Sequence, residues 1–183
     1  MIRIAITLPY AIKGEAAIIR RLLADGFNYI HLRKPEADIE YCRELLEQLT
    51  PQERAKTVVH DYYELYKEYN LRGVHTNRNI TELPEDYKGS RTRSCHSLEE
   101  IAKYKDEYDY LFLSPIFNSI SKDGYHSAFT HKELSEAAAR GIIDHKTIAL
   151  GGITPDKIPY LESLNFGGAA MLGAVYKHDT DDS

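Results

Sequence analysis

Histidine, arginine and serine recur at one kind of place in this chain, the last residues of short apolar runs. YIHLR ends on Arg33, TVVH on His60 with Asp61 next, GVHT carries His75, TRSCH holds Ser94 and His96, and YLFLS closes on Ser114. Imidazole gives and takes protons near neutrality, so each histidine is a candidate general acid or base. Two further runs end in glycine. ALGGITPDK places Gly151 and Gly152, and GGAAMLGAV places Leu172 and Gly173, at or directly after an apolar stretch. Backbone N–H groups without a side chain in the way can approach a phosphate closely; the alternative is that these glycines only turn the chain. SPIFNSISKDGYHS adds Ser119, Ser121 and Lys122 in a polar stretch. That stretch is either a lid closing on an anionic substrate or an ordinary solvated loop.

The histidines also raise a metal site. Zinc would take two or three of His31, His60, His75 and His96, with Asp61 as a carboxylate. No HxH or HExxH spacing occurs, and each histidine lies on a different run, which weighs against a metal hydrolase. Cys95 adjoins His96, but neighbours on a strand face opposite ways, so Cys95 is expected beneath a helix and not at a site.

Elements must exist to hold these residues in place. The strand candidates are residues 3–8, 29–33, 57–60, 73–76, 92–96, 110–114, 147–150 and 169–172. Amphipathic stretches separate most of them: EAAIIRRLLADG, ADIEYCRELLEQL, YYELYKEYN, SLEEIAKYKDE, HKELSEAAARG and PDKIPYLESLN. Strand and helix in regular alternation call for a parallel sheet. Eight strands predict an α/β chain folded as a (β/α)8 TIM barrel, one domain over residues 1–183, with a flavodoxin-like open sheet as the alternative. The chain is short for a barrel. It is therefore trimmed, with a short or missing helix after the fourth strand, where TELPEDYKGS leaves little room, and after the eighth. Barrel sites are built at the carboxyl ends of the strands, where the polar residues named above fall. In the second strand, alternation turns Ile30 and Leu32 one way and His31 and Arg33 the other, toward the barrel mouth.

Around His96 the reading is finer. Ser97 with Glu100 three residues on forms a capping box, so a helix starts at Ser97 and His96 stands just outside it. Two roles stay open on this ground alone: closing the strand through a backbone carbonyl, or moving a proton. Thr154-Pro155 predicts another helix start, with proline at the first position.

Composition narrows the partners. Net charge is -5, and no basic stripe interleaved with aromatics occurs, so nucleic acid is not expected. Two cysteines without CxxC spacing suit a reducing cytoplasm. The apolar run of MIRIAITLPY is too short for a membrane span, and no membrane partner is expected.

YIHLRKP, VVHDYYELY, RGVHTN, RSCHSLEE, DYLFLSPIFNSISKDG, IALGGITPDKI and GGAAMLGAV, in this order, resemble the thiamin phosphate synthase/TenI family over nearly the whole chain. The resemblance implies a phosphate-binding barrel of thiamin biosynthesis. Synthases of the family couple a pyrimidine methyl diphosphate to thiazole phosphate with magnesium; TenI-type members aromatise a thiazole phosphate tautomer by a proton shift, without metal. The thiazole phosphate half is kept: Ser119 and Ser121 match a threonine pair, Lys122 the loop lysine, Gly152 the second glycine of GGI. Leu172 and Gly173 match the last phosphate contacts, without the usual serine at 173. The pyrimidine diphosphate half is eroded. QLREK reads His31-Leu32-Arg33-Lys34-Pro35, the Asn-Asp pair reads His60-Asp61, and the second magnesium aspartate reads Ile80. Isoleucine offers magnesium no oxygen.

RSCHSLEE matches the TenI-type RSVHSLEE, whose histidine is the proton carrier. The resemblance thus implies a thiazole tautomerase with catalytic His96, and with Ser94 and Arg33 positioning the substrate or its carboxylate. Gly151, Gly152 and Gly173 would bind the phosphate with Lys122 and Ser119; His31 and His60 would line the ligand site. It implies a small phosphorylated thiazole as partner, leaves room for a homo-oligomer, and needs no cofactor. A synthase with an altered metal site, using magnesium at Asp61, is the first alternative; a non-catalytic phosphate-ligand sensor is the second.

Overall fold

The computed structural model describes residues 1–77, 82–117, 128–172 and 176. Eight parallel strands follow one another in chain order and close into a barrel, with helices between them. They are β1 (Ile2–Ile6), β2 (Tyr29–Leu32), β3 (Thr57–Val59), β4 (Gly73–Thr76), β5 (Ser90–Cys95), β6 (Tyr110–Leu113), β7 (Thr147–Leu150) and β8 (Gly168–Met171). Each expected run is a strand, displaced at its ends by two residues at most. Arg33, His60, His96 and Ser114 all fall one residue past a carboxyl end; the His60 and Ser114 N–H groups still donate to Leu32 and Cys95 on the neighbouring strands. β3, β4, β6 and β8 are buried at every position, as parallel strands covered on both faces must be.

The helices are α1 (Glu15–Ala24), α2 (Ile39–Glu47), α3 (Pro51–Arg54), α4 (Glu64–Tyr69), α5 (Leu98–Tyr104), α6 (His131–Ala139) and α7 (Ile158–Ser163). The short α3 was not among the expected elements, although its signal is plain. Thr50 and Glu53 form a reciprocal capping box, with Pro51 at the first position. Residues 82–89, before β5, hold no helix, in keeping with the expected trimming. Most of the chain after β8 lies outside the described residues.

The chain divides into two compact units, Met1–Arg3 with Thr92–Met171, and Ile4–Arg91 with Leu172–Ser183. In the second, α1 buries Ala16, Ile19 and Leu22, and α2 buries Cys42, Leu45 and Leu46, the three- and four-residue spacing of a helix face. Asp38 caps α2 by accepting the Tyr41 N–H at 2.8 Å. A polar knot sits in this apolar setting. The Lys34 ammonium, 1% exposed, donates to the Leu8 and Tyr10 carbonyls and to Glu15, each at 2.8 Å. Glu15 also accepts the Tyr41 hydroxyl at 2.6 Å and the Tyr176 hydroxyl at 2.9 Å. Burial lowers the Lys34 pKa, and Glu15 opposes that shift.

In the first unit, the parallel register sets Ser94 beside Phe112, Cys95 beside Leu113, and Leu113 beside Ala149. Cys95 is fully buried, as its strand parity requires, and burial pushes its thiol up to about 11. Thr130 and Glu133 cap α6 reciprocally. The start expected at Thr154-Pro155 is one turn of 3-10 helix, Pro155–Lys157, leading into α7.

Candidate active site

His96 follows β5 and precedes Ser97, the N-cap of α5. Ser97 Oγ accepts the Glu100 N–H at 3.2 Å, as the capping box predicts. The return bond is displaced by one residue: the Glu100 carboxylate accepts the backbone N–H of His96, at 2.6 Å, where the box would give it Ser97. The cap therefore anchors the histidine's own backbone. The ring is anchored as well. Nδ1 lies 3.1 Å from the Ser114 carbonyl oxygen and 3.3 Å from Ser114 Oγ, while the residue as a whole is exposed. A carbonyl can only accept, so Nδ1 carries the proton and donates. Nε2 is left with its lone pair, the form of a base. The first role left open for His96, a bond to a backbone carbonyl, is thus filled by Nδ1, and the second would fall to Nε2. Ser97→Ala should cost about 1 kcal/mol of stability, read by urea denaturation, with a smaller effect on turnover than any change at His96 itself.

The loop after β7 adjoins Ser114 through Pro115. The Ile116 N–H donates to Leu150 O at 2.9 Å, and the Phe117 N–H to Gly151 O at 3.1 Å. Gly151 has φ +99° and Gly152 φ +59°. A Cβ on Gly151 would stand 2.9 Å from Pro115 Cα, so glycine is required there by conformation and by space. Lys157 brings a cation to this loop by donating to the Gly152 carbonyl at 2.5 Å. It was not among the residues singled out from the sequence, although ITPDK places it one turn past the glycines. Ser94 is half-buried in β5. Ser119, Ser121, Lys122 and Gly173, expected at the phosphate, lie outside the described residues, as does Ile80.

The other unit holds the remaining expected residues. Arg33 is exposed, its backbone held by Thr7 through bonds of 2.9 and 3.1 Å. Leu172 is 40% exposed. Asp61 accepts the Lys34 backbone N–H at 2.9 Å. Lys34, one place out of register with the synthase lysine, spends its ammonium on Glu15 instead. His31, expected to face the mouth, is 0% exposed, and it meets His60 and His75 inside. His31 Nδ1 and His60 Nε2 share a hydrogen bond of 2.8 Å. The His60 and His75 rings stack with centroids 4.0 Å apart, and His31 stands edge-on to both. His31, His60 and His75 were weighed from the sequence as metal ligands together with His96 and Asp61; the structure brings together the three without either of those two.

Burial, reinforced by His75, holds the His31 imidazole neutral; burial, with His75, His31 and Arg33, does the same to His60. Both lie below the 6.5 at which they titrate in the unfolded chain, so below that pH the unfolded state binds more protons. Stability should be full above pH 6.5 and fall as pH drops, by about 1.4 kcal/mol per group for each pH unit. Urea midpoints at pH 7.5, 6.5 and 5.5 in metal-free buffer check this, and a flat profile would contradict it.

Magnesium, which the family resemblance ties to the synthase reaction, does not suit these donors. Among the described residues, the one group of three or more His, Cys, Asp or Glu side chains with atoms placed to share an ion is His31, His60 and His75. It contains no carboxylate. Magnesium asks for oxygen ligands in near-octahedral geometry.

Comparison with known proteins follows this architecture. The profile of the family described as thiamine monophosphate synthase, TMP-TENI, matches residues 4–175. A thiamine-phosphate synthase of Photorhabdus laumondii is 28% identical over 92% of this chain and 82% of its own length. One of Yersinia pestis is 26% identical over 91% and 81%. Among solved structures, a thiamine phosphate pyrophosphorylase of Bacteroides thetaiotaomicron is 36% identical, covers 100% of this chain and 90% of its own, and superposes with a TM-score of 0.89. One from Pyrococcus furiosus, 20% identical with a TM-score of 0.74 over 94% and 86%, shares the fold.

Proposed function

Since the chain belongs to the thiamine monophosphate synthase/TenI family, we propose that it acts in thiamin biosynthesis as a thiazole tautomerase. In this reading one 183-residue barrel domain takes a thiazole phosphate tautomer and aromatises it by moving a proton. The observation that carries the reading is His96, with Nδ1 bound to the Ser114 carbonyl at 3.1 Å and its backbone held by Glu100. Nε2 removes a proton from one atom of the substrate ring system and the resulting imidazolium returns one to another. No atom is gained or lost and nothing is oxidised. Ser114, by holding the ring through Nδ1, offsets the charge the imidazole gains in between. The loop at Gly151 and Gly152, with Lys157 beside it, receives the phosphate. Ser94, one strand residue from Cys95 and two from His96, orients the substrate from β5.

The synthase reading is favoured by the relatives described above, which are thiamine-phosphate synthases or pyrophosphorylases. Against it stand His31, His60 and Ile80 at positions where the synthase pattern has glutamine, asparagine and a magnesium aspartate. Two reaction mixtures decide. The first holds the thiazole phosphate carboxylate tautomer alone; the second holds thiazole phosphate, pyrimidine methyl diphosphate and magnesium. The tautomerase turns over the first at the same rate with or without added magnesium. Thiamin phosphate formed in the second at enzymatic rates would establish the synthase instead, and turnover in neither would leave a phosphate-ligand sensor.

A further inference from the structure

We propose that His31, His60 and His75 together bind one late first-row divalent cation of the zinc class. The inference rests on geometry within residues 4–91 and is independent of the reaction assigned above. β2, β3 and β4 are adjacent and parallel, with His31 level with Val58, Leu32 with Val59, and Val59 with Val74. One step on, Arg33, His60 and His75 share a level, and His31 lies on the same face two residues back along its strand. Three imidazoles from three neighbouring strands therefore meet at two heights of one interior wall. The absence of HxH or HExxH spacing weighed against a metal site in the sequence, but adjacent parallel strands create the juxtaposition without such spacing.

One nitrogen from each ring lies within 4.8 Å of the other two, and His31 Nδ1 and His60 Nε2 are 2.8 Å apart. A tetrahedral zinc with bonds of about 2.0–2.1 Å sets its nitrogens about 3.3 Å apart. The trio brackets that spacing. Loading it requires the His31–His60 pair to open by about half an ångström, with the shared proton passing to the other nitrogen of the ring that carried it, and the His60–His75 stack to fan apart. Imidazole suits zinc, copper and nickel, whereas oxygen donors suit magnesium. All three residues are at least 93% enclosed, by exposures of 0%, 7% and 3% for His31, His60 and His75, so His60 is the most open to solvent. An ion held by three imidazoles keeps a fourth position open.

The test uses untagged full-length protein, equilibrated with zinc or cobalt(II) and dialysed exhaustively against metal-free buffer. Elemental analysis should find about one ion per chain, and the cobalt form should show the intense visible bands of a four-coordinate ion. His75→Gln and His60→Asn should each drop retained metal to background, while His145→Gln, an exposed histidine elsewhere, should retain it. Circular dichroism establishes that the variants fold. X-ray absorption on the zinc-loaded wild type serves should they not, and should show imidazole nitrogens at about 2.0–2.1 Å. No retained metal in the wild type, a first shell without imidazole, or equal retention by folded His75→Gln would overturn the site and leave a hydrogen-bonded histidine trio. Catalysis in the two mixtures is scored separately, so either conclusion can fail without the other.

Discussion

His96→Asn should lower turnover of the thiazole tautomer by about 100- to 10,000-fold, the range that a positioned general acid–base group contributes. Asparagine keeps a polar side chain of similar reach, and its amide can still donate to the Ser114 carbonyl, but it cannot ferry a proton near neutrality. Affinity for the phosphate ligand should change little, because the Gly151–Gly152 loop is untouched. Stability should hold too, since Ser97 continues to accept the Glu100 N–H and Glu100 the N–H of residue 96. Steady-state kinetics, calorimetry with thiazole phosphate and urea denaturation separate these terms. A variant that unfolds, while its folded fraction keeps full activity, would make His96 a structural residue.

The largest effect on stability should come from Glu15→Ala. The substitution leaves the Lys34 ammonium, 1% exposed, with two carbonyls and no counter-charge, and takes from Tyr41 and Tyr176 the carboxylate they share. Breaking one side of a buried ion pair costs about 3–5 kcal/mol, because the other charge stays buried and uncompensated. For a chain of this size that is a fall in Tm of about 6–20 °C. Replacing both partners, Glu15→Leu with Lys34→Met, should recover much of the loss, since the desolvation cost disappears with the charges. Urea denaturation of the two single variants and the double variant measures this. A loss below about 1 kcal/mol in Glu15→Ala would mean that water reaches the pair.

The barrel was legible in the sequence because parallel strands buried on both faces write themselves as short apolar runs, and the alternation with helical periodicity fixes their connection. Four strands end one residue early, just before Arg33, His60, His96 and Ser114. The α3 turn escaped because four residues show no periodicity, although the Thr50–Glu53 box marks it. At His96 the cap was legible. The anchoring of its ring on Ser114 was not, since that contact joins two strands. For the same reason the sequence offered four histidines as possible partners and could not say which three meet. Alternation tells which face a residue takes, whereas register between strands decides which histidines meet. Lys34 shows the limit from the other side: by order it stands beside Arg33, expected at the substrate, and by packing it belongs to Glu15.

The central claim, a proton shift carried by His96, is tested most directly by following the thiazole phosphate carboxylate tautomer by proton NMR in deuterated water. Wild-type protein should convert it to the aromatic isomer far faster than buffer alone, with solvent deuterium entering the product, and His96→Asn should lose that acceleration. Conversion no faster than in buffer, or equal rates for wild type and His96→Asn, would contradict the account.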